Sequence, residues 1–165
     1  MASTIFGATL YKSPVNGTNY SYTSPGKNSE VFAVGDPVTE TGGAGLKVVS
    51  AATDMIVGVA AKVATMSSTN QTVALVKPAY IPADENCIFL MGCNSALTST
   101  LANAGTYYGL TGATGAVQVN VSGSVTTTTS RQVEIVAVDP YGLGTTEGLS
   151  EVLVKFFNVP SRDSN

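Results

Sequence analysis

The chain contains no histidine and no tryptophan, and it has only two cysteines in 165 residues. Without histidine, neither a Ser-His-Asp triad nor an imidazole-ligated metal centre can be assembled. Charged residues make up 12% of the sequence, against about 25% in an average soluble domain. Because so few charges can cover only part of a free surface, we expect the chain to dock on copies of itself or on a partner.

The lysines and arginines are few and spread along the chain, and they form no basic cluster. Nucleic-acid binding and attachment to an anionic membrane both require concentrated positive charge, so the sequence predicts neither. No apolar run approaches the ~20 residues of a membrane-spanning helix. Residues 1–12 lack the basic and apolar regions of a signal peptide. We therefore expect a protein made in a cytoplasm, with no nucleic-acid or membrane partner.

The two cysteines enclose an apolar run. Ile88–Met91 lies between Cys87 and Cys93 and predicts a strand. A strand would hold the two residues too far apart for a disulfide. Two reduced, buried thiols are therefore the favoured interpretation. With no histidine to complete a ligand set, we expect no metal and no cofactor.

Acidic residues provide the remaining route to catalysis. A carboxylate pair could in principle assemble from Asp36, Asp54, Asp139 or Glu151. Asp36 and Asp139, however, each precede a proline at the end of a predicted strand, where aspartate usually stabilises a turn. The turn interpretation is favoured, and the sequence predicts a protein that is not an enzyme.

One β-pattern occurs twice along the chain. Each copy has an apolar strand, a turn-rich excursion and a return strand containing Val-Lys, at 55–63 with 72–78 and at 133–140 with 150–156. A glycine-containing turn and a further strand precede each copy, at 34–49 and at 108–121. These two similar halves predict an all-β domain, either a small barrel or a sandwich. At most one short helix is expected, at 95–105.

The first 29 residues differ in composition from the rest, because Ser, Thr, Asn, Gly and Tyr dominate there. We predict an extended N-terminal arm at 1–29, a β-domain at 30–160 and a C-terminal tail at 161–165. The aromatic residues of the arm are Phe6, Tyr11, Tyr20 and Tyr22. Aromatic side chains on a polar extended segment suit docking onto a neighbouring subunit. The alternative is an arm that folds back onto its own domain.

Short apolar motifs follow one another in a fixed order between residues 31 and 157. They include Val34-Gly-Asp-Pro-Val38, Asp54-Met-Ile-Val-Gly-Val-Ala60, Val73-Ala-Leu-Val-Lys77, Tyr107-Tyr-Gly-Leu-Thr111 and Val133-Glu-Ile-Val-Ala-Val-Asp-Pro140. This order resembles the capsid decoration proteins of tailed bacteriophages, also called cement or head-stabilising proteins. The N-terminal arm falls outside the resemblance.

The resemblance implies a small β-barrel or β-tulip and a homotrimer on the outer face of an icosahedral shell. Such a protein clamps neighbouring subunits of the major capsid protein. We expect the interface with the capsid or a neighbouring subunit to use Phe6, Tyr11, Tyr20 and Tyr22, with Phe157 as a weaker candidate because either it or Phe156 must face the core. Deleting residues 1–22 would then leave a folded domain that no longer binds capsids.

Other functions remain compatible with the same sequence. One is a head-fibre base or a carbohydrate-binding β-domain that attaches to a host surface. Another is a tail-tube or minor head protein. Exposed aromatic side chains clustered away from any capsid contact would favour the first, and a ring-forming assembly would favour the second.

Overall fold

The computed structural model describes residues 3, 5–12, 22–41, 45–68, 77–84, 86–97, 104–125, 130–138, 150–157 and 159. Within these residues the chain forms thirteen β-strands and no helix. The prediction of an all-β fold is confirmed. The short helix predicted at 95–105 falls mainly on 98–103, which lie outside the described residues.

The strands are short and follow one another along the whole described chain. The first eight are β1 (Ala8–Lys12), β2 (Tyr22–Thr23), β3 (Val31–Phe32), β4 (Pro37–Thr41), β5 (Gly45–Val48), β6 (Gly58–Ala60), β7 (Ala64–Thr65) and β8 (Ala79–Pro82). The other five are β9 (Ile88–Gly92), β10 (Tyr107–Thr111), β11 (Gln118–Asn120), β12 (Val133–Val138) and β13 (Glu151–Phe156).

These strands form three sheets. The largest has the order β1-β9-β13-β12-β10-β11, and a five-stranded sheet has the order β2-β8-β6-β4-β5. β3 and β7 pair separately as a two-stranded ribbon. Every neighbouring pair is antiparallel, as expected for strands joined by hairpins and short loops.

The five-stranded sheet is repeated within the largest sheet. β2-β8-β6-β4-β5 corresponds strand for strand to β9-β13-β12-β10-β11. The hydrogen bonds correspond too: Gly35 donates its N–H to the Ala60 carbonyl at 2.9 Å, and Gly105 donates to the Ile135 carbonyl at 2.8 Å. Both glycines have a positive φ, 89° and 77°. The two halves are therefore a structural duplication, in which β8 occupies the place in the first half that β13 has in the second.

A parallel bridge joins the two edges of each duplicated sheet. Gly26, just after β2, pairs with Leu46 of β5, and Cys93, just after β9, pairs with Val119 of β11. Leu46 and Val119 occupy the same register position in their hairpins. Among the described residues, each duplicated sheet is thus curled so that its two edges meet at one bridge. The edges are not joined by a continuous ladder of strand pairing of the kind that closes a barrel.

The larger core cluster draws on both halves of the chain. Ile56, Val59 and Ala83 from the first half belong to the same cluster as Phe89 and Phe156 from the second. The rings of Phe89 and Phe156 lie 4.9 Å apart between centroids, and both side chains are fully buried. Burying a side chain of this size stabilises the fold by about 1.5–3 kcal/mol. Shared burial therefore holds the two halves together.

A smaller core cluster belongs to the first half alone. Its buried members are Phe32, Val38, Leu46, Val48, Ala60 and Met66. Phe32 comes from the β3–β7 ribbon, so the ribbon covers one side of the five-stranded sheet. The duplicated framework thus has two cores, one shared and one local.

The described part of the predicted arm is folded back onto the domain. β1 pairs with β9, and Ala8 is buried in the larger core. Ser3 donates its N–H to the Cys93 carbonyl at 2.9 Å, and the Gln118 side-chain amide donates to the Ser3 carbonyl at 2.9 Å. Of the two alternatives for this segment, residues 3 and 5–12 follow the second, in which the segment folds back onto its own domain.

Two further sequence predictions fall mostly or wholly outside the described residues. Of the return strand expected at 72–78, only residues 77 and 78 are described, and the strand that pairs with β6 in its place is β8. The C-terminal tail 161–165 also lies outside them.

Cys87 and Cys93 are free and buried on either side of β9, which confirms the prediction of reduced thiols. Burial raises the pKa of both thiols, that of Cys93 to about 12.

Candidate interaction surface

Two additions distinguish the halves of the duplicated framework. β1 extends the second half by pairing with β9, and among the described strands nothing corresponds to it beside β2. The β3–β7 ribbon belongs to the first half only. In a duplicated fold, segments present in only one copy are candidates for a functional site.

The two additions meet at a pair of glycines. A Cβ atom built on Gly7 would lie only 2.9 Å from the Cα atom of Gly35, and both residues have a positive φ. Ala8 donates its N–H to the Gly35 carbonyl at 2.7 Å, and Gly7 donates to the Val117 carbonyl at 2.8 Å. Only glycine allows two backbones to approach this closely in that conformation. The chain before β1 is thereby fixed against the turn that follows β3.

Asp36 lies beside this glycine contact and is fully buried. Its Oδ2 accepts the N–H of Ala33 and its Oδ1 accepts the N–H of Gly115, both at 2.9 Å. Burial raises the pKa of the Asp36 carboxyl, against the lowering effect of these two hydrogen bonds. Oδ2 thus stabilises the predicted turn, and Oδ1 links the first half to the second.

Asp54 also holds a turn. Its Oδ2 accepts the N–H groups of Ser50 and Ala51 at 3.0 Å and forms an ion pair with Lys47 at 3.1 Å. Asp139, another member of the carboxylate set, lies outside the described residues. Within the described part of the chain, no three acidic or cysteine side chains are grouped so as to hold a metal ion.

The ribbon has one buried apolar face and an outer face on which valines lie beside the exposed Thr65. Val31 pairs with Thr65, and Phe32 pairs with Ala64. Because side chains alternate along a strand, Phe32 turns to the core while Val31 and Val63 lie on the outer face. Phe32 is fully buried, whereas Val31 is 46% exposed and Val63 is 71% exposed.

Phe6 and Val34 extend this apolar surface. Each precedes one of the glycines that meet at the crossing, and they are 52% and 61% exposed. We call the set Phe6, Val31, Ala33, Val34 and Val63 the ribbon face. Among the described residues, every strongly exposed large apolar side chain except Val136 lies on the additions or next to them.

The aromatic residues predicted from the sequence do not form one cluster. Phe6 belongs to the ribbon face, and Tyr11 is 59% exposed on β1. Tyr22 lies on β2, but its side chain lies outside what the structure describes, as does all of Tyr20. Their roles as interface residues stay predictions.

Phe157 belongs to a separate group at the end of β13. Its ring packs edge-on against Tyr107 at 4.9 Å, and the Arg131 guanidinium lies 4.2 Å from the Tyr107 ring centroid. Phe157 is half-buried, whereas Phe156 is in the core. The expectation that one of these two phenylalanines faces the core is met by Phe156.

Sequence reasoning missed the valines of the ribbon face. Val31 and Val63 lie in strands of two residues or beside them, which are too short to show a period. Val34 was assigned to a turn motif, but such a motif does not indicate whether the side chains in it are exposed to solvent. The usable signal was the presence of valine, which favours strands, next to polar and glycine residues typical of the surface.

A groove of about 410 Å³ runs between the halves. Its walls include Lys27, Glu30 and Lys47. Lys47 is paired with Asp54, and Glu30 accepts the Val48 N–H at 3.0 Å, so structural contacts already engage both of these charges. The groove therefore shows no set of charges held for a ligand.

Among the described residues, no helix is long and apolar enough to cross a membrane. Comparison of the chain with models of protein families, with curated proteins and with solved structures found no match.

Proposed function

We propose that this chain is a virion structural protein of a tailed bacteriophage. It binds the outer surface of the capsid, acts as a homotrimer and stabilises contacts between subunits of the major capsid protein. The motif order between residues 31 and 157 suggests this function, and the exposed apolar surface supports it.

The observation that carries the proposal is the concentration of exposed apolar side chains on the two additions. Exposed apolar patches mark interaction sites when they lie together, while single exposed residues are common. Phe6 and Val34 flank the glycine crossing, and Val31 and Val63 lie on the outer side of the ribbon that leads into it. This arrangement suits a protein that acts by burying surface against a partner.

The duplicated framework suits a mechanical role. Curled antiparallel sheets with a shared core resist deformation, because moving one half requires opening the Phe89 and Phe156 cluster. A standard interface buries about 1,200–2,000 Å² in total. Several such contacts on a repetitive shell add up, so a weak single contact can still clamp neighbouring subunits.

The test is binding to shells of the phage whose genome encodes the chain. We expect purified protein to saturate DNA-emptied shells at a fixed stoichiometry and to raise their melting temperature. Cosedimentation measures the binding and calorimetry the stabilisation. Absence of binding at micromolar concentration would contradict the proposal.

The alternative, a carbohydrate-binding domain for host attachment, would need an open aromatic face on which a sugar ring could stack. In the aromatic cluster of Tyr107 and Phe157, the Arg131 guanidinium lies over the Tyr107 ring. This cover argues against sugar stacking at this cluster, so we prefer the capsid proposal. Glycan-array binding by the isolated protein would reverse that preference.

A further inference from the structure

We infer that three segments, 7–8, 33–36 and 115–117, form a latch that closes after the two halves have folded and then sets the rate of unfolding. The latch joins the N-terminal segment to the first half and to the second half at one place. It goes beyond the proposed function, because it belongs to the free chain and requires no partner.

The N-terminal segment donates one hydrogen bond to each half at this place. Ala8 donates its N–H to the Gly35 carbonyl of the first half at 2.7 Å. Gly7 donates its N–H to the Val117 carbonyl of the second half at 2.8 Å. All four residues are buried. Two successive residues thus hold the N-terminal segment between the halves.

A third hydrogen bond connects the halves directly. Gly115 donates its N–H to Oδ1 of Asp36 at 2.9 Å, so each of the three segments is bonded to the other two. Each segment contains a glycine with a positive φ, which is 73° at Gly7, 89° at Gly35 and 75° at Gly115. A Cβ atom built on Gly115 would lie 3.3 Å from the Cβ atom of Ala33. The latch is therefore closed only when all three segments are in place.

The duplication shows what the same turn is like without a latch. Gly105 occupies the place of Gly35 in the second half, with a φ of 77° and the equivalent backbone hydrogen bond. Among the described residues, however, nothing lies within 4 Å of a Cβ atom built on Gly105, and Thr106 stands in the place of Asp36. The latch is thus an addition to this turn and not part of what the turn itself requires.

The distance along the chain between the bonded residues indicates when the latch closes. Asp36 and Gly115 are 79 positions apart, and Gly7 and Val117 are still farther apart. Bringing such distant positions together costs loop-closure entropy, so we expect these contacts to form after the local hairpins. Contacts that form after the folding transition state affect the unfolding rate and leave the folding rate almost unchanged. The latch should therefore act on unfolding.

The test compares Gly35→Ala with Gly105→Ala in the full chain. Both substitutions place a methyl group at a positive φ and so share the backbone strain, but only the Cβ atom at position 35 meets the N-terminal segment, 3.1 Å from the Ala8 nitrogen. We expect Gly35→Ala to unfold at least about tenfold faster than Gly105→Ala, while the two variants refold at rates within about twofold of each other. Stopped-flow mixing with urea measures both rates. Equal unfolding rates, or a difference that lies mainly in refolding, would overturn the latch.

A second pair of variants answers the same question if Gly35→Ala does not fold. Asp36→Asn changes the side-chain volume little but leaves only one acceptor oxygen for two N–H donors. Asp84→Asn is its control, because the two N–H groups that Asp84 accepts lie two and three positions away. We expect only Asp36→Asn to speed unfolding without slowing refolding. Equal unfolding rates for the two variants would contradict the latch.

Hydrogen exchange tests whether the three contacts open as one unit, and it uses the unmodified chain. We expect the amide hydrogens of Gly7, Ala8 and Gly115 to exchange with one common opening free energy, because each segment is held by the other two. Three different opening free energies would show that the contacts open separately and would overturn the latch. None of these outcomes depends on binding to a capsid, so the proposed function is tested separately.

Discussion

Asp36 illustrates how one side chain can connect the two copies of a duplicated fold. In the second half the residue after the corresponding glycine is Thr106, which follows Gly105 as Asp36 follows Gly35. The carboxylate is therefore peculiar to the first half. Its cost of burial is offset by two N–H donors, one from each half. The link depends on both carboxylate oxygens.

We expect Asp36→Ala to lower the free energy of unfolding by about 2 kcal/mol or more. The substitution removes the charged acceptor of two partly buried hydrogen bonds, those from the N–H groups of Ala33 and Gly115, and a hydrogen bond to a charged group contributes about 1.5–3 kcal/mol. Urea denaturation at pH 7 measures the loss.

Asp84→Ala is the matched control. Asp84 also accepts two N–H groups, those of Asn86 and Cys87, but the contact with Asn86 is exposed to solvent. Water can replace that acceptor, so the loss should be smaller. Equal losses for the two substitutions would contradict the linking role of Asp36.

The acidic residues also predict opposite effects of pH on stability. Burial raises the pKa of Asp36. Burial works in the same direction at Asp54, but hydrogen bonds from Ser50 and Ala51 and the Lys47 ammonium outweigh it and lower that pKa. A raised pKa means that the folded state binds the proton more tightly than the unfolded state does, and a lowered pKa means the reverse.

Stability profiles of Asp36→Ala and Asp54→Ala should therefore diverge on acidification. As pH falls through the raised pKa of Asp36, the unmodified chain gains stability that Asp36→Ala cannot gain, so that deficit widens. The deficit of Asp54→Ala is present above about pH 4 and shrinks as pH falls through the lowered pKa. Denaturation midpoints between pH 7 and pH 3 measure both. Parallel profiles would show that the two environments do not differ.

At the scale of elements, β1 is part of the sheet. Ala8 is in the core, and Leu10 packs against it. Removing residues 1–12 exposes the edge of β9 and leaves the Gln118 amide without the carbonyls of Ser3 and Ile5. The structure therefore favours a different outcome from the intact domain that the sequence suggests for an N-terminal deletion.

We expect deletion of residues 1–12 to lower the free energy of unfolding by more than about 2 kcal/mol, the cost of one large core truncation. Tyr11→Ser is the control, because Tyr11 is exposed and a surface substitution changes stability by about 0.5 kcal/mol or less. Denaturation of the three proteins under one condition makes the comparison. A truncated chain as stable as the full chain would show that β1 is dispensable.

The strands that sequence analysis predicts are those with a visible period. The regions containing β6, β12 and β13 are recognisable because valine and other apolar residues recur there over several positions. Sequence analysis does not predict β1 as a strand, because Thr9, Tyr11 and Lys12 give its segment a polar composition. Ala8 and Leu10 nevertheless face inward. Sequence analysis does not predict the ribbon either, because its strands have two residues each and pair positions more than 30 residues apart.

The candidate surface is harder to predict for a related physical reason. Exposure of Val34 or Val63 depends on which segments pack beside them, and a local pattern does not contain that information. Phe6 was predicted as an interface residue, but for its aromatic ring and its place in an arm. Its proximity to Val34 follows from the contact of Gly7 with Gly35, which only the fold reveals.

At the scale of the whole molecule, the duplication raises the question of whether the halves unfold separately. Their sheets have the same order and register, and each has its own parallel bridge. Separate modules would each need their own core. The larger cluster, however, includes Ile56, Val59 and Ala83 of the first half together with residues of the second. Shared burial favours a single cooperative unit.

Substitutions at equivalent positions test this cooperativity. Leu46 and Val119 are both fully buried and sit at the two parallel bridges. We expect Leu46→Ala to lower the free energy of unfolding by about 2–5 kcal/mol, and Val119→Ala by less because fewer methyl groups are removed. Since the core is shared, each variant should shift one transition that circular dichroism and tyrosine fluorescence report at the same urea concentration. An early partial transition in Leu46→Ala alone would show that the first half unfolds independently, with the local cluster around Phe32 as its own core.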